Sequence, residues 1–256
     1  MRFVTALLPG IALLFGLVLA PAVRAADAPA PFTPAQRAEI VAILRDALVH
    51  DPSILRDAVT ALQASESAHH DAEARSAIAA AEPALSHAAG DPVAGNPKGD
   101  VTVVEFYDLR CPYCRRMIPV IDALLKRDPN VRLVYKDIPI LGPGSVIGAR
   151  AVLAAQRQDG YARLQAALMG GGAQITEDSV QAAARTAGLD WPRLQRDMKD
   201  PAIAARLHDN LELARQLGVD GTPAFVIGRQ LLPGAVELAE LQGAVTAARG
   251  ATATAR

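Results

Sequence analysis

Two cysteines separated by two residues, Cys111 and Cys114, constrain this chain more than any other feature, because of what flanks them. Val101 to Tyr107 before them is an apolar, β-rich run of the kind that forms a buried strand. Cys111 to Arg127 reads as a helix, with Pro119 a predicted kink. The pair therefore stands where a strand hands over to a helix. A helix N-terminus carries unpaired N–H groups and a partial positive charge, and a thiolate placed there is stabilised. Cys114, one helical turn inside, is spaced to attack a mixed disulfide formed at Cys111. So short a loop gains little stability from closure, so chemistry explains the pair better than a structural staple. The competing reading is half a zinc site. Structural zinc takes four ligands, no second Cys-x-x-Cys exists, and His50, His69, His70, His87 and His208 lie away from the motif. His69 and His70 are neighbours, which on a helix point to different faces, so no metal site is expected.

The bulk composition narrows the classes. Hydrophobic residues make up 51% of the 256 and aromatics only 4%, so alanine, leucine and valine must pack the core. That favours a helix-rich protein. Twenty-six basic against 27 acidic residues leave a net charge of −1, without the basic excess of a nucleic-acid binder. No nucleic-acid partner is expected.

The N-terminus reads as a signal peptide over residues 1–25, with Arg2 as the positive region, Ile11 to Ala20 as the apolar stretch and Val23-Arg24-Ala25 as the preferred cleavage site. A retained anchor competes, since Phe3 to Ala20 is uncharged and about long enough to span a bilayer, although Pro9 and Gly10 interrupt it. Export places the chain in an oxidising compartment.

Thr33-Pro34 and Asp51-Pro52 are helix-start signals. The apolar positions Ile40, Ile43, Leu44, Ala47 and Leu48, then Leu55, Ala58, Val59 and Leu62, predict two short amphipathic helices within 32–65. Their apolar faces need a partner, either their own domain or a second copy of the chain. Residues 66–92 read as an alanine-rich helical linker that could be long and mobile, and Gly90 to Gly99 as a boundary loop. The main domain covers 93–250. Strands are predicted at Val101 to Tyr107, Val131 to Tyr135, Ala224 to Ile227 and Leu231-Leu232, with helical segments over about 144–217, a last helix at Glu237 to Ala248, and fraying from Gly250. The order β-α-β, helical insert, β-β-α is an α/β arrangement: a thioredoxin fold with a helical insertion.

Further residues attach to this site. Thr222-Pro223 precedes a strand; a cis bond there would be a deliberate feature, and a simple strand start is the alternative. Glu105 is a carboxylate in an apolar strand six residues before Cys111, and a buried carboxylate can accept protons. Lys136, at the end of the neighbouring strand, is placed to pair with it, a strand-end salt bridge being the alternative. Arg110, Arg115 and Arg116 flank the cysteines, and read as a solvated basic face.

Val103-Val104-Glu105-Phe106-Tyr107-Asp108 running into Cys111-Pro112-Tyr113-Cys114 resembles the DsbA-like branch of thioredoxin-fold proteins, as do Lys136 to Gly142 and Gly218 to Phe225. Asp91 to Pro97 and the helices from Phe32 to Gln63 are similar to the ScsC-like subgroup. The resemblance implies that Cys111 is the exposed nucleophile and Cys114 its buried partner. It implies a cis Pro223 packed on the pair, with Thr222, Pro112 and Tyr113 meeting substrate peptides. Glu105 and Lys136 would form a buried acid–lysine pair, and residues 32–63 an oligomerisation region. Strongly oxidising DsbA proteins carry Pro-His between the cysteines. Pro112-Tyr113 stabilises a thiolate less well, so a less oxidising pair is expected.

These features predict an exported, periplasmic thiol–disulfide oxidoreductase whose redox-active Cys111–Cys114 disulfide is its own cofactor. Its expected partners are cysteine-containing exported proteins, a membrane redox protein that recycles the pair, and further copies of itself. An isomerase or reductase is the first expectation. A dithiol oxidase and a copper(I) carrier using the reduced thiols are the alternatives.

Overall fold

The computed structural model describes residues 32–171 and 174–254; the expected signal peptide and its cleavage site lie outside the described residues. The chain divides into two compact units after Ala61.

The first unit holds α1 (Pro34–His50) and the start of α2 (Ser53–Ser86). Helix α1 begins as the sequence predicts. Thr33 caps it, its side chain accepting from the Gln36 N–H while the Gln36 side chain accepts from the Thr33 N–H, with Pro34 at the first position. No residue of α1 is buried. Ile40, Ile43, Leu44 and Leu48 are exposed, as are Leu55 and Val59 of α2.

The second unit is built on a five-stranded sheet in the order β1-β3-β2-β4-β5, formed by β1 (Val93–Gly95), β2 (Val101–Tyr107), β3 (Val131–Asp137), β4 (Ala224–Ile227) and β5 (Gln230–Pro233). Strands β2 and β3 are parallel and the other pairs antiparallel. Alternation along the strands divides the side chains between two faces. On one face Val103, Leu133, Phe225 and Ile227 pack against Met117, Ile121 and Leu124 of α3 (Pro112–Arg127) and Leu241 and Val245 of α9 (Leu238–Thr254). On the other, Val104, Phe106, Val134 and Val226 meet Ile78 and Leu85 of α2, Leu213 of α8 (Pro201–Gln216) and Leu217, which caps it. The insert supplies α4 (Pro143–Ala155), a 3-10 turn, α5 (Tyr161–Gly170), α6 (Glu177–Thr186) and α7 (Trp191–Asp197), whose apolar residues form one cluster with Leu109, Cys111 and Cys114.

Three local expectations change. The second N-terminal helix does not stop near Gln63: α2 runs on to Ser86, and its alanines hold one continuous helix. Its last third is not a mobile tether, because Ile78 and Leu85 are buried against the sheet. The boundary loop contains an edge strand, β1, pinned antiparallel to β3 by the pairing of Val93 with Val134. A three-residue strand holding Gly95 is too short to show alternation in sequence. The C-terminal helix extends to Thr254, past the predicted fraying.

Candidate active site

Cys111 is the N-cap of α3, in extended backbone conformation, and Pro112 occupies the first helical position, where its missing N–H costs nothing. Cys114 follows within the first turn. Both thiols are unbonded. The Cys111 thiol donates to the Thr222 carbonyl at 3.2 Å, and the Thr222–Pro223 peptide is cis, as the family resemblance implies. The start of β4 and the start of α3 thus close on one sulfur. Cys111 is less open than a freely exposed nucleophile. It is 4% exposed and Cys114 1%, because the insert helices and the Thr222 segment wall the pair. Tyr113, between them, is 52% exposed, with the Arg116 guanidinium stacked 4.2 Å above its ring. The basic face is therefore partly ordered on an aromatic surface.

The loop before Cys111 is held by a residue to which the sequence assigned no role. The carboxylate of buried Asp108 accepts from the Arg110 N–H (2.8 Å), the Ser145 hydroxyl (2.8 Å) and the Ile140 and Leu141 N–H groups (2.9 and 3.0 Å). The Arg110 guanidinium adds a bond to the Leu141 carbonyl. These bonds tie the entrance of α3 to the segment leading into α4. The sequence signal was present: an aspartate two residues before Arg110 is placed for an Asx turn.

Glu105 is 2% exposed on β2. Burial, with Asp137 and Cys111 as further contributors, pushes its carboxyl up to about 8. Burial also pushes the Cys114 thiol well above the ordinary range, with Glu105 adding to the effect, while bonds from the Asp108 backbone and the Thr222 side chain pull the other way. Charge on Glu105 and charge on Cys114 therefore oppose each other, which suits the transfer of one proton between them.

Lys136 does not pair with Glu105. In the parallel register Glu105 lies opposite Tyr135, and Lys136 lies opposite Phe106 on the other face of the sheet. There its ammonium donates to Asp91 Oδ2 and to the Ala84 carbonyl, both at 2.6 Å, and Arg206 donates to Asp91 Oδ1 at 3.2 Å. A slip of one residue in reading a strand moves a side chain through the sheet. Lys136 is a clamp between α2, β3 and α8, away from the thiols.

Tyr107, Tyr135 and Asp137 share a face with Glu105. The Tyr107 and Tyr161 hydroxyls lie in hydrogen-bond contact with Asp137, at 2.7 and 3.0 Å. Burial raises Asp137 to about 7, with the two tyrosine bonds working against it. Both acids hold protons in the folded chain that they lose when unfolded, Glu105 between 4.5 and about 8 and Asp137 between 3.8 and about 7. The folded state binds more protons in that window, so the contribution of these two acids to stability is full below the ordinary carboxylate range and declines as pH rises, until 7 to 8 is passed. Urea unfolding of the reduced protein is expected to show stability falling as pH rises across this window. A flat profile there would contradict these protonation states.

Comparison with known proteins follows the same geometry. Residues 102–246 match the family model of the DSBA-like thioredoxin domain, and residues 36–68 match that of the copper resistance protein ScsC N-terminal domain. The chain belongs to the DSBA-like thioredoxin family, and it is a thiol–disulfide oxidoreductase of the DsbA/ScsC type. A Proteus mirabilis ScsC variant with a linker deletion is 30% identical over 88% of this chain and all of its own, with a TM-score of 0.65. A thioredoxin-like oxidoreductase from Silicibacter pomeroyi is 49% identical, covering 66% of this chain and 97% of its own, with a TM-score of 0.64. The thiol-disulfide exchange protein alpha-DsbA2 of Wolbachia pipientis is 27% identical over 69% of this chain and 96% of its own, at a TM-score of 0.65. An Na(+)/H(+) antiporter NhaA 1 of Salinispora arenicola is 29% identical over 63% of this chain, which spans 25% of that protein's length.

Proposed function

We propose that the chain is an exported disulfide isomerase or reductase of envelope proteins that works as an oligomer. The observation that carries this reading is the junction of two features. One is a thiol pair at a helix N-terminus, bonded to the carbonyl before a cis proline. The other is a pair of N-terminal helices that leaves Ile40, Ile43, Leu44, Leu48, Leu55 and Val59 in water. An apolar stripe of that size asks for a partner, and a second copy of the chain supplies a matching one. Joined copies surround a bound client with several thiol pairs, which favours reshuffling over a single oxidation.

The cycle begins when the Cys111 thiolate attacks a client disulfide. A bond forms between Cys111 and one client sulfur, and the other client sulfur leaves as a thiolate. In isomerisation that thiolate attacks elsewhere in the client, and the last exchange returns Cys111 as a thiolate, with no net oxidation. In reduction Glu105 takes the proton of Cys114. The Cys114 thiolate then attacks the Cys111 sulfur, the bond to the client breaks, and the released client thiolate takes up the proton. The client gains two electrons, and the Cys111–Cys114 disulfide awaits a membrane donor of reducing equivalents. Tyr113, Pro112 and the Thr222 backbone form the surface a client peptide meets.

The test is reactivation of scrambled ribonuclease by the mature protein in glutathione buffer, with Cys111→Ser and a deletion of 32–63 beside it. Reactivation is expected with the full chain, lost in Cys111→Ser and at least about tenfold weaker in the deletion, which sedimentation should show to be monomeric. Efficient oxidation of reduced ribonuclease without reactivation of the scrambled form would instead establish a dithiol oxidase.

A further inference from the structure

Three oxygen-bearing groups meet beneath the site in a closed triangle. The Tyr107 hydroxyl lies 2.7 Å from Asp137 Oδ1, the Tyr161 hydroxyl 3.0 Å from Asp137 Oδ2, and the two hydroxyls 2.7 Å from each other. Each short contact between oxygens requires one hydrogen. With Asp137 ionised, only the two phenolic hydrogens are present for three contacts, and one pair of oxygens faces across lone pairs. With Asp137 protonated there are three hydrogens for three contacts. The ring then closes, each oxygen centre giving one bond and receiving one. The ring is buried and joins β2, β3 and the insert helix α5, where an unmatched polar contact is costly.

The same register places this ring beside Glu105. Pairing of Glu105 with Tyr135 and of Tyr107 with Asp137 puts four side chains at the corners of a square on one face of the sheet. The two carboxyls occupy one diagonal, and charge on Asp137 adds to the rise at Glu105. The two tyrosines occupy the other, their rings edge to face at 5.5 Å.

We propose that Asp137 is a second buried acid of the exchange site, a positioning residue whose ring-held proton sets how readily Glu105 takes the proton of Cys114. The proposal rests on the reading of Glu105 as the proton acceptor. When Asp137 is neutral, Glu105 ionises more easily and stands ready as a base. When Asp137 is charged, Glu105 holds its proton more firmly. The groups that bear on this balance are Glu105, Tyr107 and Asp108 from β2 and its end, Tyr135 from β3, Cys111 and Cys114 at the start of α3, Asp122 further along α3, and Tyr161 from α5. The Asn210 amide of α8 donates to the Asp137 carbonyl at 3.2 Å. Burial and closure of the ring favour the protonated acid, while hydroxyl hydrogens donated to the ionised carboxylate favour its charge, and the balance places Asp137 at about 7.

Acid-quenched single-turnover reactions test this. Reduced protein is mixed with a peptide disulfide, and the mixed disulfide at Cys111 is counted by mass as it forms and decays. The decay gives the Cys114 step separately from the attack by Cys111. Asp137→Asn is expected to lower the pH midpoint of that step by roughly one unit, since the like charge is gone. Glu105→Gln is expected to abolish the midpoint. A folded Asp137→Asn protein with an unmoved midpoint, beside a Glu105→Gln protein that has lost it, would overturn the proposal. A Glu105→Gln protein that keeps the profile removes the acceptor reading itself, and the proposal with it. Should Asp137→Asn not fold, infrared titration of Glu105→Gln with isotope-labelled aspartate carries the test. A protonated aspartate band must remain, with a midpoint lower than in the unsubstituted protein, because the coupling is reciprocal. Absence of that band at acid pH, or an unshifted midpoint, overturns the proposal.

Discussion

Lys136→Met is expected to lower stability by about 3–5 kcal/mol, the cost of leaving one member of a buried ion pair behind. The Lys136 ammonium and the Asp91 carboxylate are each 2% exposed and 2.6 Å apart. Without Lys136, the Ala84 carbonyl loses its donor, and Asp91 keeps only Arg206, whose side chain is 27% exposed and 3.2 Å away. Urea denaturation at neutral pH measures the loss, and the melting temperature should fall by roughly 10 °C for a domain of this size. Asp91→Asn added to Lys136→Met should recover part of it, because the uncompensated charge is then gone. A loss below about 1 kcal/mol would mean that the clamp is dispensable. The same variant separates the two readings of this lysine. As a clamp on the far face of the sheet, it leaves the pH profile of thiol exchange unmoved at temperatures where the protein is folded. As a partner of Glu105, it would move that profile.

The largest effect on activity is expected from the sulfur at the helix N-terminus. Cys111→Ser should reduce turnover of a peptide disulfide by about two orders of magnitude or more, to the uncatalysed level. The remaining thiol, Cys114, is buried and held protonated well above its ordinary range. Its thiolate fraction at pH 7 is then less than about one in a hundred. Cys114→Ser should act differently. The attack by Cys111 persists, but the mixed disulfide is not resolved from within the chain and accumulates, visible by mass as protein plus one client chain. Equal losses in both variants, with no trapped species in Cys114→Ser, would reverse or merge the two roles.

Much of this architecture was legible in the sequence, for identifiable reasons. Strand β2 and helix α3 are long, and their apolar patterns are strong. The turn residues Gly218 to Gly221 mark the entry to Thr222-Pro223 and β4. Glu105 stood out as one charge in an apolar strand, which is how a buried acid reveals itself in residue order alone. Lys136 misled for the complementary reason. It ends a neighbouring strand with the right charge, but strand pairing has a period of two, and nothing local shows which of Tyr135 and Lys136 faces Glu105. Helix α2 misled because an alanine-rich stretch reads alike as free linker or packed helix until the sheet that receives Ile78 and Leu85 is known.

Residue type and spacing set the chemistry available to this protein: two thiols at a strand-to-helix junction, a proline before a strand, and a carboxylate that must be buried. These are local facts, each written within a single element. Which groups act together was decided by the packing of distant elements. Tyr107 and Asp137 are 30 residues apart and Tyr161 comes 24 later, and Cys111 lies 111 residues from the carbonyl that accepts its hydrogen bond. Such distances are closed only by the parallel register of β2 with β3 and by the packing of the insert on the sheet. Both depend on burying apolar surface across the whole domain, which no short segment records.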